Sequence, residues 1–239
     1  MRPYLALVVA IYGVMSGAEG RAASLQVSPV SIDLAAPALA SSVSLRNNND
    51  RPVNAQVRVF KWTQVGGEDQ LVPTSEVVAS PPAATLQPGT TYTLRVARVG
   101  QPVTNGESAY RLLIDELPDV NVRRPGNDVK LVVRYSIPVF FNDRSANADL
   151  RWNIRREGGS LVAEATNTGN RHAKIANLAV ASSAAQVSFG RGLNGYVLPG
   201  STKRWTSTDA QRLQPGVSVN ITASGDDFAV KQTTIVTGR

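Results

Sequence analysis

The 239-residue chain has no cysteine and a single histidine, and outside its first residues no apolar run approaches the length of a membrane span. Without cysteine there is no disulfide framework and no thiol chemistry, so the fold must be held by apolar cores large enough to do without staples. With one histidine, a Ser-His-Asp site would have to use His172, which sits in an ordinary turn-to-strand segment and reads as a surface or strand-end residue. The same shortage removes the usual transition-metal ligands, and Asp115, Asp143, Asp226 and Asp227 lack the spacing of a calcium loop. The glycine-rich pieces at 157–160 (EGGS) and 190–195 (GRGLNG) are turns, because neither follows a strand and opens a helix as a phosphate cradle would. No catalytic group, cofactor, metal or small-molecule substrate is expected.

Two features stand out in what is present. Residues 1–22 combine Arg2, an apolar run over 5–15 and small residues at 20–23, the pattern of a secretory signal peptide that is too short to span a bilayer. Its removal would take away Arg2, Arg21 and Glu19 and lower the formal charge from +7 to +6. The lysines and arginines are spread over strands and turns with no interleaved aromatics, so the expected surface is a solvated basic one, with attraction to acidic partners second and nucleic acid not expected.

The rest of the chain alternates apolar and polar residues in short runs between Pro, Gly and Asn, with no convincing amphipathic helix, which is an all-β pattern. Strands are expected over 24–34, kinked at Pro29 as an edge strand, and over 41–45, 53–62, 92–99 and 109–117. Residues 68–84 show weak periodicity and a proline-rich irregular passage. The most informative strand is 128–141 (DVKLVVRYSIPVFF), which should form a hairpin with 109–117. Val129, Leu131, Val133, Tyr135, Ile137 and Val139 share one face, and Lys130, Arg134 and Ser136 the other, with only Val132 between them. A polar change of character over 142–148 reads as a linker. Beyond it, strands are expected over 150–156, 160–167, 173–181, 195–198, 201–205, 217–223 and 231–237. Two domains follow, 23–142 and 148–239.

The run YRLLIDELP at 110–118, a basic loop, then an alternating strand holding SIPVF at 136–140 together resemble the periplasmic pilus-assembly chaperones of the chaperone-usher pathway, in a divergent or archaic-type branch. ATNTGNRHAKIANLAV at 165–180 and YVLPGSTKRW at 196–205 resemble the second domain of that family, where N-x-G opens a turn and L-P-G makes a tight hairpin corner. The resemblance implies two immunoglobulin-like sandwiches joined at an angle. It also implies a function without nucleotide, in which the chaperone's strand fills the open groove of a pilus subunit and the loaded subunit passes to an outer-membrane usher. On this reading Val129, Leu131 and Val133 are the donor side chains, although the same face could instead line the chain's own core. The family's basic pair for the subunit carboxylate is altered here: Pro29, Val30 and Ser31 hold no arginine, and Val133 stands where the late lysine is expected. Arg134, with Lys130 or Arg111, is the implied replacement. Glu116 matches a family glutamate of an interdomain ionic network, with Asp226 or Asp227 as partner. Self-association of the unloaded chain is left open. The rival from another class is an exported structural or adhesive sandwich, either a pilus subunit or a carbohydrate-binding module. Against it, Trp62, Trp152 and Trp205 are scattered rather than clustered with acids and amides, and both domains read as complete.

Overall fold

The computed structural model describes residues 25–118, 132–208, 213–225 and 229–238. Ten strands form the first half: β1 (Leu25–Ser28), β2 (Ile32–Ala35), β3 (Ala40–Asn47), β4 (Val53–Val65), β5 (Glu68–Pro73), β6 (Val77–Ser80), β7 (Ala83–Leu86), β8 (Thr91–Arg98), β9 (Glu107–Leu117) and β10 (Arg134–Asn142). Nine follow: β11 (Leu150–Glu157), β12 (Ser160–Asn167), β13 (Ala173–Ala181), β14 (Gln186–Ser188), β15 (Leu193–Val197), β16 (Thr202–Ser207), β17 (Ser218–Ser224), β18 (Ala229–Ile235) and β19 (Thr237–Gly238). They make two sandwiches. In the first, the sheet β1-β3-β8-β6 faces β2-β10-β9-β4-β5, with β7 also on β4; in the second, β16-β12-β11-β19 faces β14-β13-β17-β18, with β15 on β13. The inward faces supply separate cores, one around Leu45, Leu94, Leu112 and Ile114, the other around Ile154, Ile175, Val180 and Ile221.

The alternation in the sequence maps onto these faces. Tyr135, Ile137 and Val139 of β10 point into the first core, and β9 and β10 form the expected antiparallel pair, Arg134 opposite Asp115 through Asn142 opposite Glu107. Several expectations are corrected. The kink at Pro29 is where the chain crosses from one sheet to the other, since β1 pairs β3 while β2 runs parallel to β10. The proline-rich passage contains β6 and β7, and β14 is a further strand, all too short for periodicity to reveal. Leu198-Pro199-Gly200-Ser201 is a turn closed by the Ser201 amide on the Leu198 carbonyl (3.1 Å), but it joins strands of different sheets and so is a corner rather than a hairpin. Trp152 and Trp205 are not scattered; their rings stack at 5.7 Å.

Both sandwiches carry the same buried asparagine corner. Asn47 Nδ2 donates to the carbonyls of Arg51 (2.8 Å) and Leu86 (2.9 Å), and its Oδ1 accepts from the Asn49 amide (2.9 Å). Asn167 Nδ2 donates to the carbonyls of Arg171 (2.7 Å) and Val197 (3.0 Å), and its Oδ1 accepts from the Gly169 amide (3.0 Å). Gly89 and Gly200, at φ 69° and 70°, donate their amides to the Asn47 and Asn167 carbonyls. Gly169 is needed for a different reason: a Cβ there would lie 2.3 Å from the Asn147 carbonyl oxygen, so only glycine lets the linker pass this close.

Candidate functional site

The first sandwich turns the outer face of its β2-β10-β9-β4-β5 sheet toward the second, and the residues facing outward change character along the strands. At the far end lie Arg134, Asp115 and Gln56, then Ser136, Leu113 and Arg58, then Pro138, Arg111 and Phe60, and last Phe140, Ala109 and Trp62. Asp115 is nearly buried and bonds two cations, Arg58 Nη2 at 2.5 Å and Arg134 Nε. The hydrogen bond from Arg134, then that from Arg58, holds the Asp115 carboxyl below the ordinary aspartate range, and the same contact pushes the Arg134 guanidinium up. Arg134 itself stays exposed, its charge turned to solvent. Arg111 behaves differently. Its guanidinium lies 3.7 Å from the Trp62 ring centre and 5.6 Å from that of Tyr196, and burial pushes its pKa down.

The last row is the joint. Trp62, Ala109 and Phe140 of the first sandwich bury a shared cluster with Tyr196 and Leu198 of the second. β4 is long enough to serve both purposes: Val53, Ala55 and Val57 fill its own core, and by Trp62 the buried residue is one on the opposite face. Polar contacts brace the cluster on each side. At one edge Arg171 Nη2 meets Asp33 Oδ2 at 2.7 Å; at the other, Gln64 donates to the Tyr196 carbonyl (2.9 Å) and accepts from the Leu198 amide (2.9 Å). In the middle, the Glu107 side chain is fully buried and receives the His172 amide (3.1 Å) and Nδ1 (2.7 Å), while the imidazole stacks on Phe140 at 3.6 Å. The linker is bonded to both halves: Asp143 accepts from the Gly106 amide (2.5 Å), and Asn147 and Asn170 exchange two bonds of 2.9 Å.

Of the residues singled out in the sequence, Arg134 and Arg111 share this outer face, two rows apart. Val133 is half-buried, and its carbonyl accepts from the Glu116 amide at 3.0 Å. Val129, Lys130 and Leu131 lie outside the described residues, as do Asp226 and Asp227. The Glu116 carboxylate accepts from the Tyr135 hydroxyl (3.2 Å) within the first sandwich, whereas across the joint Arg171 pairs with Asp33 and His172 hydrogen-bonds Glu107. His172 is therefore no surface residue. Sequence reasoning gave these four no role at a joint because each is a polar residue in a strand or a turn, and nothing local says that a second domain covers it. The one available signal was that NTGNRH, already marked as a turn, holds two of them in adjacent positions.

One property of β10 completes the site. β2 lies beside it only from Val139 to Asn142, so between Arg134 and Pro138 the strand has an open edge among the described residues. Two immunoglobulin-like sandwiches are thus joined through a buried seam, with a strand on the first that is open-edged among the described residues. Residues 24–145 match the model of the pili and flagellar-assembly chaperones (PapD N-terminal domain), and the chain belongs to that family. Its members are chaperones of pilus assembly, not enzymes. Over 133 residues the chain is 29% identical to the uncharacterized fimbrial chaperone YcbF of Escherichia coli K12; the alignment takes 51% of this chain and 54% of YcbF, so the chain spans about half the length of that curated relative. Among solved structures, it resembles the CsuC–CsuE chaperone–tip adhesion subunit pre-assembly complex from the archaic chaperone-usher Csu pili of Acinetobacter baumannii, with 26% identity, a TM-score of 0.66, and 91% of this chain and 100% of that one covered. The CupB2 chaperone of Pseudomonas aeruginosa shares the fold at 19% identity and a TM-score of 0.60, over 88% of this chain and 100% of that one. Among the described residues no helix is long and apolar enough to cross a membrane.

Proposed function

We propose that this chain is a periplasmic chaperone that captures pilus subunits by donor-strand complementation, caps their open groove and delivers them to an outer-membrane usher. The observation that carries the reading is the open edge of β10: between Arg134 and Pro138 no strand among the described residues pairs with that side, and an extended segment of a partner would fit there. Val129, Leu131 and Val133 continue the alternation of that strand and are the donor side chains; a fully buried side chain of this size contributes roughly 1.5–3 kcal/mol before ordering costs. Arg134 is the subunit-carboxylate anchor, with Lys130 and Arg111 as its neighbours in that role, because a guanidinium offers a carboxylate two parallel donors. Asp226 and Asp227 are the second-domain acids of an interdomain network, while Glu116 bonds Tyr135 within the first sandwich. Residues 1–22 are a cleaved signal peptide, and 23–142 and 148–239 are the two domains. The deciding experiment is to purify the exported protein from its native host and identify by mass analysis what accompanies it. Pilus subunits in stoichiometric amount, on a chain beginning near residues 21–24, are expected. A protein that retains Met1, or that leaves the periplasm without subunits while pili are being built, sinks the proposal.

A further inference from the structure

The backbone of β10 alternates as its side chains do, and this second alternation contains a stop. The Glu116 amide bonds to the Val133 carbonyl in the same register that sets Arg134 opposite Asp115. In an antiparallel ladder every second residue exchanges both its bonds with the partner strand. Residues 133, 135, 137, 139 and 141 are therefore turned to β9, and Arg134, Ser136, Pro138, Phe140 and Asn142 direct N–H and C=O to the opposite edge. The Ala36 amide, which bonds to the Asn142 carbonyl at 2.8 Å, agrees with this sense where β2 covers that edge. Pro138 sits at the boundary between the open stretch and the covered one. It presents a carbonyl but no N–H, and it costs the β9 ladder nothing because the donor it lacks points away from β9.

We propose that Pro138 is a register stop for the captured segment. An extended, alternately apolar strand of a subunit bonds to Arg134 and Ser136 and ends opposite Pro138, and so cannot continue into the place of β2. The stop has a purpose, since β2 is held to β10 by a register of only four residues, Ile32 to Ala35, and a strand already paired alongside would gain bonds by advancing. The inference rests on the proposed capture of subunits along β10.

Amide hydrogen exchange of the free protein and of the subunit complex, in wild type and Pro138→Ala, tests it. In the wild type the amides of Arg134 and Ser136 should exchange freely without subunit and slow by roughly 100-fold in the complex, with the Ala36 amide protected throughout. In the Pro138→Ala complex the new amide at 138 should gain protection and Ala36 should lose it. An unprotected amide at 138 with Ala36 unchanged overturns the stop while leaving capture intact. Arg134 and Ser136 amides that stay fast in the wild-type complex overturn the capture reading itself, and protection in the free protein that disappears on dilution would assign the edge to a second copy. Ser136→Pro supplies an independent arm: the N–H it removes is not used by β9, so the free protein should fold, while capture falls at least about tenfold. Unchanged capture by that variant overturns the proposal.

Discussion

Two kinds of side chain decide most at the residue scale: the buried asparagines and the arginines around Asp115. Asn47 satisfies two carbonyls and one amide, and Asn167 two carbonyls and two amides, from side chains that are themselves buried, so replacing either with alanine leaves polar groups unpaired, at about 1–3 kcal/mol per buried group. Asn167→Ala is expected to lower unfolding free energy by about 2–4 kcal/mol in a urea titration; a loss below about 0.5 kcal/mol would mean that the corner relaxes without them. Asp115 adds a pH dependence. Its folded-state pKa is depressed, so its contribution is present above the ordinary aspartate value, about 4, and is lost as pH falls through the lower folded value. Asp115→Asn should therefore melt lower than wild type near neutral pH, with the gap closing in acid. Arg134→Ala leaves Arg58 on Asp115, so melting should change little while subunit capture weakens; capture equal to wild type would move the carboxylate anchor to Lys130 or Arg111.

The hairpin of β9 and β10 holds the question at the scale of an element. Its described part feeds the first core through Tyr135, Ile137 and Val139, and Leu131 stands in the same alternation phase. If that phase continues into donor side chains for a subunit, Leu131→Glu puts a charge into the subunit's apolar groove, where burial costs several kcal/mol unless it is paired. Capture should then be abolished in cells that co-express subunits, with the melting temperature of the free protein nearly unchanged. A collapse in melting would show that Leu131 belongs to the chain's own core.

Across the whole molecule, the joint sets the relation of the two sandwiches. The buried Glu107 carboxylate meets the backbone amide and the ring nitrogen of His172, and the Phe140 ring closes the other side of the imidazole. His172→Ala should leave Glu107 with the backbone amide alone and weaken the joint by about 1–3 kcal/mol. Each sandwich keeps its own core, so the expected result is a larger radius of gyration in small-angle scattering with little loss of β-structure by circular dichroism. An unchanged radius would show that Trp62, Tyr196 and Gln64 hold the joint unaided.

Much of this was legible in the residues. Alternation with Gly, Pro and Asn punctuation identified β3, β4, β8 to β13 and β15 to β18, because a sheet with one buried face writes its period into the chain. The scarcity of histidine and cysteine bounded the chemistry, and the YRLLIDELP and SIPVF strands carried the resemblance to the family that the chain belongs to. Tertiary structure alone decided the rest. Asp33, Glu107 and His172 are far apart in the chain, and local pattern reports which face of a strand is apolar, not whether another domain covers the polar one. The role of Pro138 was hidden for the same reason: a proline reads as a break in a strand until the pairing shows that the donor it lacks faces the open edge.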